Sequence, residues 1–163
     1  MYQPYPTGGA EPELQRAQPP SSIQNAVKLM YAGAAVSAIV IIVALLTIGS
    51  AKTAVHNAFP SYSATRVRRA AIGLVAYEVV VQLITIGLWL WMARANRGGK
   101  SWARILSTVL FGLNTLILLA SVARPHATIG LVLLLVDWLI GLGAIFFLWR
   151  RDSSGYYAAS KVP

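Results

Sequence analysis

The sequence predicts an all-α, polytopic membrane protein, an antiparallel bundle of four transmembrane helices, and three observations lead to this fold class. The 163 residues are 56% hydrophobic, with a mean hydropathy of +0.60. Only 12% are charged, about half of the roughly 25% that is usual in a soluble domain. Four long apolar runs follow one another with basic residues mainly between them, as in the flanks of membrane spans.

Each apolar run is long enough to cross a bilayer as a helix. The runs are residues 29–49, 70–93, 105–123 and 127–149, with 21, 24, 19 and 23 residues. A helix rises about 1.5 Å per residue, so about 20 residues cross a hydrocarbon core of about 30 Å. Inside lipid the backbone must satisfy its own hydrogen bonds, and these continuous runs lack the alternation of a barrel strand. We therefore expect four helices.

The connections between the runs predict how the helices are arranged. Residues 94–104 and 124–126 are short turns, whereas residues 50–69 form a longer polar loop. Short turns place successive helices side by side and antiparallel, which gives one transmembrane domain over residues 23–152. We expect residues 153–163 to be a short polar tail in the cytoplasm.

The first 22 residues predict a disordered tail that is rich in proline and glycine. Five of the eight prolines lie in residues 1–22, and aliphatic side chains are almost absent there. Such a segment cannot bury enough apolar surface to offset the entropy lost on ordering. It is not a signal peptide, because no apolar stretch directly follows a basic start.

The distribution of basic residues predicts that both termini are cytoplasmic. Nine Lys and Arg residues lie on one side of the predicted bundle and five on the other, and cytoplasmic loops carry the excess. We therefore expect a multi-pass protein of a bacterial cytoplasmic membrane, with both termini and the turn at 94–104 inside the cell. The arginines of the run 66–69 lie on the opposite side and count against this orientation.

Four polar side chains lie inside the predicted spans and form a candidate intramembrane polar layer: Glu78, Gln82, Asn114 and Asp137. Glu78 and Gln82 are four residues apart and share a helix face. An acid within a membrane is costly unless it is paired or neutralised, and no Lys or Arg lies within a span. The layer predicts either a proton- or cation-coupled site built from Glu78 and Asp137, or hydrogen bonds that hold the helices together.

A basic loop lies between the second and third runs. Its four cations are Arg94, Arg97, Lys100 and Arg104. Cations near an anionic bilayer surface each contribute about 1 kcal/mol to binding, so the loop predicts contact with anionic lipid headgroups, and the same charges set the topology. Although the net charge is +9, we expect no nucleic-acid partner, because the cations flank membrane spans.

Sequence signatures of catalysis and of cofactor binding are absent. The chain has no cysteine, which excludes disulfides and thiol chemistry, and its two histidines have no third ligand beside them. It contains no P-loop, no HExxH motif, no nucleophile elbow and no dinucleotide-binding glycine pattern. We expect no enzyme activity, no cofactor and no metal site.

Three segments carry a resemblance to a known group of proteins. The block WLWMARANRGGKSWARILSTVLFGLNTL, the opening NAVKLMYAGAAVS and the closing FFLWRRDSSGYY resemble small four-span integral membrane proteins of actinobacteria, mostly uncharacterised. The resemblance covers about residues 25–157 and implies four spans, but no activity and no site. The size is also similar to that of small multidrug transporters, which have an essential acid in the first helix, whereas residues 29–49 contain none.

The sequence favours a non-catalytic accessory or scaffold protein that acts through helix packing and through its tail or basic loop. Its expected partners are the lipid bilayer, anionic lipids, and a second copy or another membrane protein. The alternative is a small proton- or cation-coupled transporter or channel that uses Glu78 and Asp137. Acids that face each other around a wet cavity would favour transport, and acids in dry helix contacts would favour a scaffold.

Overall fold

The computed structural model describes residues 18–122 and 128–160, which form six α-helices. They are α1 (Ser21–Leu46), α2 (Ile48–Ala58), α3 (Ala64–Arg97), α4 (Ser101–Val122), α5 (Thr128–Leu148) and α6 (Arg151–Ala159). By length and composition, α1, α3, α4 and α5 can each cross a membrane. The predicted all-α, four-span membrane fold is thus confirmed, whereas most of the predicted N-terminal tail lies outside the described residues.

The four long helices form a ring in which neighbours run in opposite directions. α1 packs most extensively against α3 and α5, α4 packs against α5, and the contact between α3 and α4 is smaller. The largest buried cluster joins the start of α1 to the last turns of α3 and α5 and to α6, through residues that include Ile23, Met30, Met92, Leu148 and Tyr157. We call this end of the bundle the core end.

The opposite end of the bundle contains a helix where the sequence predicts a loop. Most of the polar segment 50–69 is helical, because α2 folds back on the start of α3 and buries Val55 against Val67 and Ala71. α2 stops just before Phe59, which precedes a proline and is therefore disfavoured in a helical conformation. The hydroxyl of Ser63 then accepts a hydrogen bond from the backbone N–H of Arg66 and caps α3, as an N-cap serine does.

Residues 153–159, expected to belong to a polar C-terminal tail, are also folded, as part of α6, and they close the core end. Tyr157 is 4% exposed and its hydroxyl donates to Asn96 Oδ1 at 2.7 Å. Asn96 is fully buried, and its Nδ2 donates to the Met92 carbonyl at 2.8 Å and to Ser107 Oγ at 3.1 Å. One amide therefore links α3, α4 and α6.

Three further hydrogen bonds, from Ser153 and Tyr156, hold α6 in place. Ser153 Oγ lies 2.8 Å from Ser22 Oγ in α1 and 2.8 Å from the Phe147 carbonyl oxygen in α5. The hydroxyl of Tyr156 donates to the Arg97 carbonyl at 2.8 Å. The composition of the segment does not predict these contacts, because Ser, Gly and Tyr in a short polar segment are as typical of a solvated tail as of a packed helix.

Two glycines of the long helices make room for aromatic rings of neighbouring helices. A Cβ added to Gly33 in α1 would lie 2.5 Å from the ring of Trp89 in α3, and one added to Gly141 in α5 would lie 3.0 Å from the ring of Phe111 in α4. Glycine in a membrane helix commonly allows two backbones to approach. Here it accepts a ring, which brings Trp89 and Phe111 into the interior of the bundle.

We predict that Gly33→Ala destabilises the bundle by about 1–3 kcal/mol, because the new methyl group overlaps the indole of Trp89. Gly87→Ala is the matched control, since a Cβ there meets nothing within 4 Å and alanine is the better helix former. We expect that control to be neutral or stabilising. Unfolding free energies in bicelles measure both, and equal effects of the two substitutions would contradict the packing of Trp89 on Gly33.

We also predict that Tyr157→Phe destabilises the protein by about 1–3 kcal/mol, because it leaves the buried Asn96 oxygen without its donor. The control is Tyr77→Phe, whose ring is 69% exposed. Thermal unfolding in a mild detergent compares the two. A loss no larger than that of the control would show that the hydroxyl of Tyr157 does not hold α6.

Because of the same tyrosine, we expect the free energy of unfolding to decrease as the pH rises in the alkaline range. Burial raises the pKa of the Tyr157 phenol, although the positive charge of Arg104 opposes this. An unfolded tyrosine ionises near pH 10, so above about that pH the folded state retains a proton that the unfolded state has lost. Stability therefore falls as the pH rises. We expect that part of the decline to disappear in Tyr157→Phe when unfolding is measured at a series of alkaline pH values.

Candidate functional site

The structure divides the predicted polar layer into two separate hydrogen-bonded pairs. Gln82 Nε2 donates to Glu78 Oε1 at 2.8 Å within α3. Asn114 Nδ2 donates to Asp137 Oδ2 at 3.3 Å and joins α4 to α5. All four side chains are half-buried. Within residues 18–122 and 128–160, no hydrogen bond connects one pair to the other, so the two acids do not share a polar contact.

A second polar contact lies directly beside the pair that joins α4 to α5. Trp138 Nε1 donates to Thr115 Oγ1 at 2.9 Å, and the Thr115 hydroxyl donates to the Phe111 carbonyl at 2.9 Å. The rings of Trp138 and Phe111 are 5.7 Å apart between centroids. Sequence reasoning missed this contact, although the positions of Thr115 and Trp138, each directly after a member of the polar layer, are a usable signal.

A cavity of about 280 Å³ lies among α1, α3, α4 and α5, beside the small contact between α3 and α4. Most of its wall is apolar, and four residues with polar side chains at the wall are Thr85, Ser107, Asn114 and Asp137. Glu78 and Gln82 do not line it. The structure therefore places only one of the two predicted acids at a cavity.

Asp137 has one satisfied and one unsatisfied oxygen. Its Oδ2 accepts from Asn114, and the indole N–H of Trp89 lies near the carboxyl group, but no donor in the described part of the chain reaches the buried Oδ1 with hydrogen-bond geometry. A buried acceptor without a donor costs about 1–3 kcal/mol. A proton on the carboxyl group, or a cation beside it, would lower this cost, so the Asp137 carboxyl group has the capacity to bind one.

The basic loop does not present its four cations in the same way. The guanidinium of Arg104 lies 3.7 Å from the ring centroid of Trp149, and its Nη1 donates to Ser154 Oγ at 3.0 Å. Trp149 is in turn fixed by a hydrogen bond from its Nε1 to Thr108 Oγ1 at 3.0 Å. Arg104 thus joins α4 to α6, and its contact with anionic lipid stays a prediction.

The other three cations of the loop, Arg94, Arg97 and Lys100, are exposed at the core end. Among the described residues, no three His, Asp or Glu side chains lie close enough together to hold a metal ion. His56 is exposed on α2, and His126 lies outside the described residues. The chemistry that the described side chains offer is thus hydrogen bonding within the membrane and positive charge at the core end.

We predict that Asn114 and Asp137 are energetically coupled, whereas Gln82 and Asp137 are not. A double-mutant cycle with Asn114→Ala and Asp137→Ala should give a coupling of about 0.6 kcal/mol and at most about 1.7 kcal/mol, the range for hydrogen bonds between membrane helices. The cycle with Gln82→Ala and Asp137→Ala should give a value near zero. Unfolding in bicelles provides both cycles, and equal couplings would contradict the division of the layer into two pairs.

Comparisons of the chain with protein-family models, with curated proteins and with solved structures found no match. The resemblance to small four-span membrane proteins of actinobacteria therefore stays a prediction.

Proposed function

We propose that this chain is a non-catalytic scaffold or accessory protein of a bacterial cytoplasmic membrane, with both termini in the cytoplasm. The observation that carries the proposal is the pairing of the intramembrane polar side chains. Glu78 is bonded to Gln82 within one helix, and Asp137 is bonded to Asn114 across two helices. The second bond holds two membrane helices together, the first neutralises polar groups within α3, and neither pair contributes to a site shared with the other.

Such a scaffold can contact its partners in two regions, within the membrane and at the core end. Within the membrane, the long helices expose apolar side chains such as Leu46, Tyr77 and Leu83, which lipid, a second copy or another membrane protein can cover. At the core end, the exposed cations of the loop face the aqueous phase or the headgroups. Positive charge close to an anionic bilayer surface favours anionic lipids.

A second candidate function is a cation- or proton-coupled site at Asp137, and one observation favours it. Asp137 lines the 280 Å³ cavity and keeps one buried oxygen without a partner. Intramembrane acids often lie on ion and proton pathways. In this form of the alternative Glu78 has no direct part, because it does not line the cavity.

The two functions are separated by transport in proteoliposomes. For a scaffold, we expect the wild-type chain to produce no proton, sodium or potassium flux above that of protein-free vesicles. Glu78→Gln and Asp137→Asn should both fold, with a modest loss of stability, because each weakens a hydrogen bond. Asp152→Asn is the control, since Asp152 is an exposed acid of α6 outside the spans.

The second candidate predicts a different pattern in the same experiment. It requires a wild-type flux that Asp137→Asn abolishes and that both Asp152→Asn and Glu78→Gln leave intact. Flux of this kind would overturn the scaffold proposal. A wild-type chain without flux, together with lowered unfolding temperatures for Asp137→Asn, supports it.

A further inference from the structure

A second cavity, of about 390 Å³, lies at the core end between the start of α1 and the end of α3. Its walls include Pro19, Gln24, Lys28, Tyr31 and Arg97. None of these residues lines the cavity that contains Asp137. We call this second cavity the basic pocket.

One wall of the basic pocket is built by α1 and the segment before it. Gln24 Nε2 donates to the Pro19 carbonyl at 2.8 Å, and the Gln24 backbone N–H donates to the Pro20 carbonyl at 3.1 Å. These bonds hold residues 18–20 against the first turns of α1. Gln24, Lys28 and Tyr31 follow at intervals of four and three residues, so they share one face of the helix.

The other wall is the last residue of α3, and α6 fixes its position. The Arg97 carbonyl accepts the hydroxyl of Tyr156 at 2.8 Å. The chain then turns at once, since Gly99 has a φ of +68°, a conformation that glycine adopts readily. The backbone of Arg97 is therefore held opposite Lys28, while both charged side chains remain exposed.

No acid within residues 18–122 and 128–160 balances the charge of the basic pocket. The acids among the described residues are Glu78, Asp137 and Asp152, and none of them lines the pocket. Two cations that share one cavity repel each other, and an anion between them would convert the repulsion into attraction. Arginine and lysine are the usual ligands of phosphate groups, the first through paired N–H donors and the second as a point charge.

The location of the pocket indicates where that anion comes from. Lys28 immediately precedes the apolar run that starts at residue 29, and Tyr31 is 47% exposed beside it, as interfacial tyrosines are. The pocket thus lies where an apolar span meets its charged flank, the level of phospholipid headgroups.

We propose that Lys28 and Arg97, with the hydroxyl of Tyr31, bind the phosphate of an anionic phospholipid headgroup. The site goes beyond the scaffold function, because it does not depend on the intramembrane hydrogen bonds. It also differs from the basic loop predicted from the sequence: one of its two cations comes from α1, and Arg104 has no part in it.

The test uses the full chain in nanodiscs of phosphatidylcholine with and without phosphatidylglycerol. Native mass spectrometry of the released protein measures how much phosphatidylglycerol it retains. The double variant Lys28→Gln/Arg97→Gln removes both cations of the pocket. Arg94→Gln/Lys100→Gln is the matched control, because it removes the same charge at the same end from residues that do not line the pocket.

We expect the pocket variant to retain about 25-fold less phosphatidylglycerol than the wild type, a factor of about five for each cation. The control should lose clearly less, because Arg94 and Lys100 line no shared pocket and act on headgroups only through screened surface charge. Lys28→Arg/Arg97→Lys should retain the lipid, which separates loss of charge from loss of fold. Equal losses in the pocket variant and in the control, or no loss in either, would overturn the proposal.

Inorganic phosphate added to the nanodiscs distinguishes the two sources of the phosphate group. If the headgroup is the ligand, millimolar inorganic phosphate leaves the retained phosphatidylglycerol unchanged beyond the effect of an equal ionic strength of chloride. If inorganic phosphate displaces the lipid while chloride does not, the lipid assignment is overturned in favour of a soluble phosphate bound by the same two cations.

Discussion

The buried amide of Asn96 is the constraint on which the arrangement of the helices depends. A polar group inside an apolar core must find its partners there, and the Asn96 side chain finds them in α3 itself, in α4 and in α6. Its bond to Ser107 sets how α4 is rotated against α3. Asn114 lies seven residues after Ser107, on the same helix face, so this rotation also turns Asn114 toward Asp137 in α5.

The four spans could be predicted because the cost of exposing a backbone to lipid depends on composition and length, and both are visible in the sequence. The rotation of each helix about its axis depends on partners distant in the chain. The position of Glu78 and Asp137 inside apolar spans could therefore be predicted, but their separation into different hydrogen-bonded pairs could not. The hydrogen bonds of Arg104 and Tyr157 could not be predicted for the same reason. Each side chain is bonded to a residue about 50 or more positions away in the sequence.

Two short helices escaped prediction for a different reason. α2 and α6 contain few large apolar residues, and each buries only one or two side chains, Val55 in α2 and Ser153 and Tyr157 in α6. So few buried positions produce no clear period in the sequence. Both helices are stabilised by contact with a longer helix, as most short helices are.

The length of α3 has a consequence for the surrounding bilayer. From Arg69 to Arg94 the helix rises about 37 Å, several ångströms more than a hydrocarbon core of about 30 Å, whereas α4 as a whole, with 22 residues, rises about 33 Å. Such hydrophobic mismatch is accommodated by tilt or by local thickening of the lipid. A turn of three residues joins α3 to α4 at the core end. The length by which α3 exceeds α4 therefore lies at the opposite end of the bundle. Thinning of the lipid would therefore act first on α2, before it disturbs the hydrogen bonds of Asn96 at the core end.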